Sequence, residues 1–477
     1  MPQTSSETSR FSLKRFLLKN RDVHSQNGRL AAKPEASPLA NLLKTSLPTV
    51  VDLASQTIMW TIESILIGRI SAAAFGGFGM AIQVIVLCMT VLLTFVVGSS
   101  LIINRNLGGG DRQEANHIFG QTMIIGSMIA IGLALFWFFG ATQIFKLIKE
   151  GGMEAELAGV RYLRTIAVFS PFIITNFIAV GVIRGIGETK FSMMINLGIN
   201  ALNLVLSPLL IFGLFGLPRL EVQGAAFAAG LSHTAGFVAT FYLVRSRKSK
   251  LFLSLREMAQ PNFTTLKRLF KAGFPTTIEQ LVWAFGQLVV TSFVALLGIH
   301  LLAAHQAFMR IQAILSMFYM GFGLGAMTLM GQNLGADRQQ LAERTAEVSG
   351  WVMYAFVMIV ILLLVVFSQP ILSVFTSDPK VITAGLLPLT MFALTQLPKA
   401  VNNVLMGNLR GAGDLKWLMW LSIAAVIVFE IGANAIVIFL LKGGLLGLWL
   451  VHMLDETIRL AANYWRFNRG KWKFLNI

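Results

Sequence analysis

The chain has 477 residues, 55% of them hydrophobic and 13% charged, where a soluble domain carries roughly 25% charged residues. With a mean hydropathy of +0.70, a large water-soluble globule is excluded, and an all-α polytopic membrane protein is expected. The net charge of +17 points to nucleic acid or to basic loops beside a membrane; the placement of the basic residues decides between them.

Residues 1–40 are polar and basic and lack the apolar core of a secretory signal. We expect a cytoplasmic extension, either disordered or with Phe11, Leu13, Phe16, Leu17 and Leu18 lying on an anionic membrane surface among Lys14, Arg15 and Lys19; the scarcity of acids also leaves a mitochondrial presequence open. Apolar runs between polar breaks then predict twelve spanning helices, near 44–68, 79–103, 118–140, 159–181, 191–214, 222–244, 273–298, 303–330, 347–367, 383–406, 417–441 and 446–465. The longest internal hydrophilic stretch, 245–271, separates the half 41–244 from the half 272–466, and 467–477 forms a tail. One cysteine, Cys88, excludes an intrachain disulfide and a cysteine-based metal site.

The halves repeat each other. NLGGGDRQ starts at Asn106 and NLGADRQ at Asn333; RGIGETK starts at Arg184 and RGAGDLK at Arg410. Pro48 matches Pro275 and Asp52 matches Glu279 on the same diagonal. Six helices per half return each half to the side it started from, so the repeat is parallel, with a pseudo-two-fold axis along the membrane normal. The N-terminus, the central stretch, the tail and the even-numbered loops hold most of the Lys and Arg, which predicts cytoplasmic termini and explains the basic balance without nucleic acid.

Ionisable side chains at bilayer depth are costly and mark function or tight pairing. In the first helix, Asp52 and Glu63 lie about 20° apart around the axis, and Gln56 about 40° from Asp52, so all three share a face. A carboxyl there is suited to bind and release a coupling ion, and Glu63, about 22 Å beyond Pro48, is the first candidate, followed by Asp52. Glu279, the repeat mate of Asp52, is a gate acid, a cap, or a partner of Lys44 or Lys271. Gln280, Trp283, Gln287 and Thr291 continue the seventh helix; Gln280, Gln287 and Thr291 form a polar stripe read as cavity lining.

Further along, Arg310 lies inside the eighth apolar run and needs a partner, for which Glu279 and Glu430 are the candidates; a role holding the second half together is expected. His305 is expected to be structural. Asn176 and its repeat mate Asn402 sit in proline-bearing helices, near Pro171 and Pro398, and Asn200 belongs to a polar stripe with Asn196, Asn203 and Ser207. Asn176, Asn200 and Asn402 are candidates for the cavity wall. Asp455 and Arg459 are spaced to pair along one helix face. The glycine-rich loops match no phosphate-binding pattern and follow no strand, so they are expected to be tight helix-to-helix turns. No nucleophile–base or metal-ligand spacing suggests an enzyme.

At four places the chain resembles a known family: AAHQAFMRIQ opening the eighth helix, TLMGQNLGADRQQLAER after it, LRGAGDLKW after the tenth, and LGLWLVHMLDETIRLAANYWRFNRGKW at the end. Together these look like the multidrug and toxic compound extrusion (MATE) family, over about residues 40–473. The resemblance implies two six-helix lobes around a central cavity, alternating access driven by proton or sodium entry, no cofactor, and small cationic amphipathic cargo. A monomer in the bacterial inner membrane is expected. Family members often carry Asp late in the first helix, where this chain has Glu63; some carry an acid eight residues after the seventh-helix proline, where this chain has Trp283. The alternative reading is a related lipid-linked sugar flippase, kept open by Arg310 and Lys399.

Overall fold

The computed structural model describes residues 37–148, 152–246, 248–253 and 261–475. Twelve long helices account for most of them: α1 (Pro38–Gly68), α2 (Ala72–Gly108), α3 (Arg112–Ile148), α4 (Gly152–Gly185), α5 (Thr189–Phe212), α6 (Glu221–Arg245), α7 (Phe263–Ala295), α8 (Ile299–Gly335), α9 (Gln339–Val366), α10 (Pro379–Ala412), α11 (Leu415–Leu440) and α12 (Gly444–Asn468). A short helix, Ser368–Phe375, lies between α9 and α10. No strand is present among the described residues. This follows from the solvent: in lipid a backbone must satisfy its own hydrogen bonds, and a helix does so within one segment.

Eleven of the twelve helices are long and apolar enough to cross a membrane among the described residues. The exception is α12, whose buried face carries His452, Asp455, Glu456 and Arg459. Several helices run well past the predicted limits. The 37 residues of α2 and of α8 reach about 55 Å at 1.5 Å per residue, longer than the hydrocarbon core of a bilayer. The helices continue through polar turns such as Arg105–Asn106, which a hydropathy reading assigns to loops. Likewise α7 begins at Phe263, inside the stretch expected to be linker. The expected N-terminal surface helix lies outside the described residues.

Helix ends are fixed locally. Asn262 caps α7 by accepting from the Thr264 and Thr265 amides at 3.0 and 3.2 Å, and Asp378 caps α10 through the Lys380 amide at 2.9 Å, with Pro379 at the first helical position. The glycine-rich loops are turns: Gly187 and its repeat mate Gly413 both take left-handed φ values, +86° and +91°. Where the second copy has lost a glycine, Asp337 takes the left-handed position with φ 56°, a conformation that Asp tolerates better than most residues.

Each half has its own apolar core. In the first, Phe78, Phe119, Trp137 and Tyr162 are buried together. In the second, Phe308 stacks on Phe392 at 5.5 Å, and Trp449 closes on both rings at 5.9 and 5.0 Å. The halves meet near the ends of the helices that carry both termini. There Thr94 of α2 contacts Thr277 of α7, Thr328 of α8 donates to the Gly185 carbonyl at 2.8 Å, Gln332 donates to Asn104 at 3.0 Å, and Arg105 donates to the Ala412 carbonyl at 3.2 Å. The backbones approach so closely that a methyl group at Gly273 would lie 1.7 Å from the Thr94 carbonyl oxygen, and one at Gly98 would lie 2.4 Å from that of Leu269.

Candidate functional site

The intramembrane acids of α1 occupy two different environments. Asp52 is fully buried and accepts four hydrogen bonds: from Gln56 at 2.9 Å, Asn196 at 2.8 Å, Ser192 at 2.8 Å and Arg184 at 3.3 Å. Both of its oxygens are saturated, and the residue ties α1 to α4 and α5. Asn200 extends the same seam by donating to Ser55 at 2.9 Å. Glu63, three turns further along α1, is also buried, but its hydrogen-bond partner is Tyr162, at a long 3.5 Å. Tyr162 is itself held edge-on by Phe78 at 5.1 Å. Asp52 is thus held by a saturated network that joins three helices, whereas Glu63 is buried with a single long hydrogen bond.

In the second half, Glu279 pairs with Arg410 of α10, not with Lys44, Lys271 or Arg310. This corrects the sequence expectation. Arg410 is the repeat mate of Arg184, so each half carries one acid–arginine pair at equivalent places. Glu430 is likewise not bound to Arg310: its ion-pair partner is Arg459 at 3.7 Å, which also holds Asp455 at 2.9 Å along α12 as the spacing predicts. Glu430 lies where α11 widens into π-helical turns, Val426–Ala433, a distortion found often at functional sites and without a signal in the sequence. Lys399 completes this cluster, 3.8 Å from Glu456 and 3.3 Å from the His452 ring.

A cavity of about 180 Å³ lies against this cluster. Its wall includes Trp283 and Gln287 from α7, His305 from α8, Lys399 from α10, and Trp449 and His452 from α12. Of the polar stripe of α7, Gln287 is in this wall, with Trp283 one turn before it, while Gln280 is half-buried two turns before Gln287 and Thr291 is not in the wall. Two other cavity candidates are not in the wall. Asn176 is buried within the first half and accepts from Thr240 at 2.7 Å; Asn402 is buried within the second and accepts from Asn463 at 2.8 Å. These repeat mates tie α4 to α6 and α10 to α12. Gln56 is half-buried and bound to Asp52. His305, read as structural, faces the cavity 5.8 Å from Trp449, with neither ring nitrogen hydrogen-bonded among the described residues.

Tyr162, Trp449 and His452 were not foreseen as site residues. Tyr162 and Trp449 are aromatic residues within apolar runs and look like core in sequence. His452 precedes the acidic pair of α12 by three residues, a spacing that places it on the same face as Asp455.

A family model described as MatE matches residues 48–209 and again 275–436, a displacement of 227 at both ends, as for Asn106 and Asn333. The chain is 24% identical over 433 residues to the "Probable multidrug resistance protein NorM" of Thermotoga maritima, covering 91% of this chain and 92% of that one. It is 24% identical over 437 residues to the "Multidrug export protein MepA" of Staphylococcus aureus, covering 90% and 93%. Among solved structures, the fold is similar to that described as the outward-facing conformation of a multidrug resistance MATE family transporter, with a TM-score of 0.83 at 18% identity, covering 92% of this chain and 98% of that one. The flippase alternative gains no support from these relatives.

Proposed function

Because the chain belongs to the MatE family, an integral multi-pass membrane transporter family by the relatives' names and the apolar helices, we propose that it is a secondary active multidrug exporter working by alternating access. Inward movement of protons or sodium ions drives amphipathic organic compounds outward. The termini and the basic loops face the cytoplasm, and the protein resides in a bacterial inner membrane as a monomer. In that orientation the inter-half contacts at Thr94–Thr277 and Gln332–Asn104 seal the cytoplasmic end, so the cavity belongs to the outward-facing state.

The observation that carries this reading is the contrast between the two acids of α1. Asp52 is locked by four donors, and Glu63 is buried with one long phenolic contact. A coupling group must gain and lose its ion at each cycle, which favours Glu63. Asp52 and Glu279 hold the middles of α1 and α7 in register with α4 and α10. No resident cofactor is required; the coupling ion is a transported species. The cargo expected from the resemblance is small, cationic and amphipathic.

The test is dye export from cells lacking their own exporters. Expression of the wild-type chain should lower the steady-state level of a fluorescent amphipathic dye, and collapsing the ion gradients should abolish the effect. Dye levels that never respond to expression would overturn the export reading.

A further inference from the structure

Where α11 starts and α12 ends, two tryptophans and two arginines form a continuous ladder of contacts. The Trp417 and Trp465 rings lie 6.1 Å apart. Arg466 lies over Trp417 at 5.2 Å, and Arg469 lies over Trp465 at 3.9 Å. The Trp417 indole N–H donates to Asn463 at 2.9 Å, which fixes that ring against α12.

The two guanidinium groups differ in what their edges hold. Arg466 grips the Asp414 carboxylate through Nε at 2.6 Å and Nη2 at 3.2 Å. Arg469 is exposed, and its side chain makes no ion pair or hydrogen bond among the described residues. An arginine that lays its face on an indole keeps its N–H edge available, and that edge matches a carboxylate or a phosphate. At Arg466 the chain itself supplies the oxyanion. At Arg469 the same edge stands open to one from outside.

Charge and depth identify that oxyanion. Residues 413–420 and 464–475 hold five cations, Lys416, Arg466, Arg469, Lys471 and Lys473, and one acid, Asp414. Arg466 takes Asp414, and Lys473 pairs with Glu343 of α9. Lys416, Arg469 and Lys471 are exposed and have no acid partner among the described residues. The level is that of a membrane surface, because the apolar span of α11 begins at Leu415, two residues before Trp417. Trp465, beside Trp417, is 48% exposed, and Trp420, three residues further into the span, is 64% exposed. Exposed indoles at this level are at home in the lipid–water interface.

We infer that this end of α11 and α12 binds an anionic phospholipid, with the Arg469 edge on the headgroup phosphate and the Trp465 indole against the glycerol region. Lys416 and Lys471, next to Trp417 and two residues past Arg469 in sequence, add positive charge at the same end. A zwitterionic phospholipid presents the same phosphate but brings an ammonium group into a surface that is already positive, so the anionic class is preferred. The inference does not rest on the export reading.

Native mass spectrometry of the full chain tests it, with phosphatidylglycerol and phosphatidylcholine of identical acyl chains titrated into the detergent-solubilised protein. The wild type should hold the first phosphatidylglycerol about tenfold more tightly, as expected for one charge-assisted contact. Arg469→Gln should remove most of that preference, and Arg469→Lys should keep part of it. Lys190→Gln, which deletes an exposed cation at the start of α5, should leave it unchanged. Glycerophosphoglycerol, the headgroup without acyl chains, should not displace the lipid at equal concentration. Equal retention of the two lipids by the wild type, an undiminished preference in R469Q, or an equal loss in K190Q would each overturn the inference. Displacement by glycerophosphoglycerol would overturn it in favour of a site for a soluble anion. Should R469Q fail to fold, the wild-type comparison and R469K decide.

Discussion

Arg410 reaches Glu279 across 131 positions of sequence, the same pairing that Arg184 makes with Asp52 across 132. The duplication has preserved an ion pair in both halves while the acid changed from Asp to Glu. In each case the arginine comes from the end of the fourth helix of its half and the acid from the middle of the first, so the pair fixes the register of two helices.

Removing one member of such a pair leaves a buried charge uncompensated. We predict that Asp52→Asn lowers stability by about 3 kcal/mol, read as a lower thermal unfolding midpoint in detergent. The double variant Asp52→Asn with Arg184→Gln should recover part of the loss. A single variant as stable as the wild type would show that the four donors at Asp52 do not act as an anchor.

The close approach of α2 and α7 gives a second prediction. Gly273 has no room for a side chain beside the Thr94 carbonyl, so Gly273→Val should prevent closure of the end that holds the termini. Spin labels at Asp111 and Asp337, in a Cys88→Ala background, should report a longer distance than in the unsubstituted chain, and export should fall. Gly79, where an added methyl group meets nothing within 4 Å, provides the control: Gly79→Ala should change neither. An unchanged label distance in Gly273→Val would show that the halves have slack at this contact.

Asn402 and Trp283 separate stability from recognition. Asn402→Ala leaves the buried Asn463 amide nitrogen without its acceptor and takes one of its donors from Glu456, which should cost about 1–3 kcal/mol of stability and leave the affinity for cargo unchanged. Trp283→Ala should weaken cargo binding with little change in the unfolding midpoint, because its ring is half exposed beside the cavity. Reversal of that pattern in binding and unfolding measurements would contradict the assignment of the cavity wall.

Much of the architecture was legible in the sequence because it rests on long-range regularities. Apolar runs locate the twelve helices, and the repeated glycine-rich motifs reveal the duplication. The shared face of Asp52, Gln56 and Glu63 follows from helix periodicity alone. What could not be read depends on which helices become neighbours. Arg410 sits in a motif that reads as a turn, so nothing local pairs it with Glu279. Arg310 stands in an apolar run with no local partner, and nothing in the sequence shows that Glu279 and Glu430 pair with Arg410 and Arg459 instead. Asn176 and Asn402 look like cavity residues because buried amides and cavity amides have the same sequence signature; only their partners Thr240 and Asn463 distinguish them. The π-helical turns around Glu430 arise from tertiary packing and leave no periodic trace.

The central claim is that Glu63 couples cargo movement to an ion gradient, and purified protein in proteoliposomes tests it most directly. Dye transport would be followed under an imposed proton gradient, an imposed sodium gradient and no gradient, for the wild type and Glu63→Gln. The account predicts that one of the two gradients drives uphill transport by the wild type, and that E63Q abolishes this while still binding dye. Uphill transport by E63Q at the wild-type rate would contradict it and move the coupling site away from the first half.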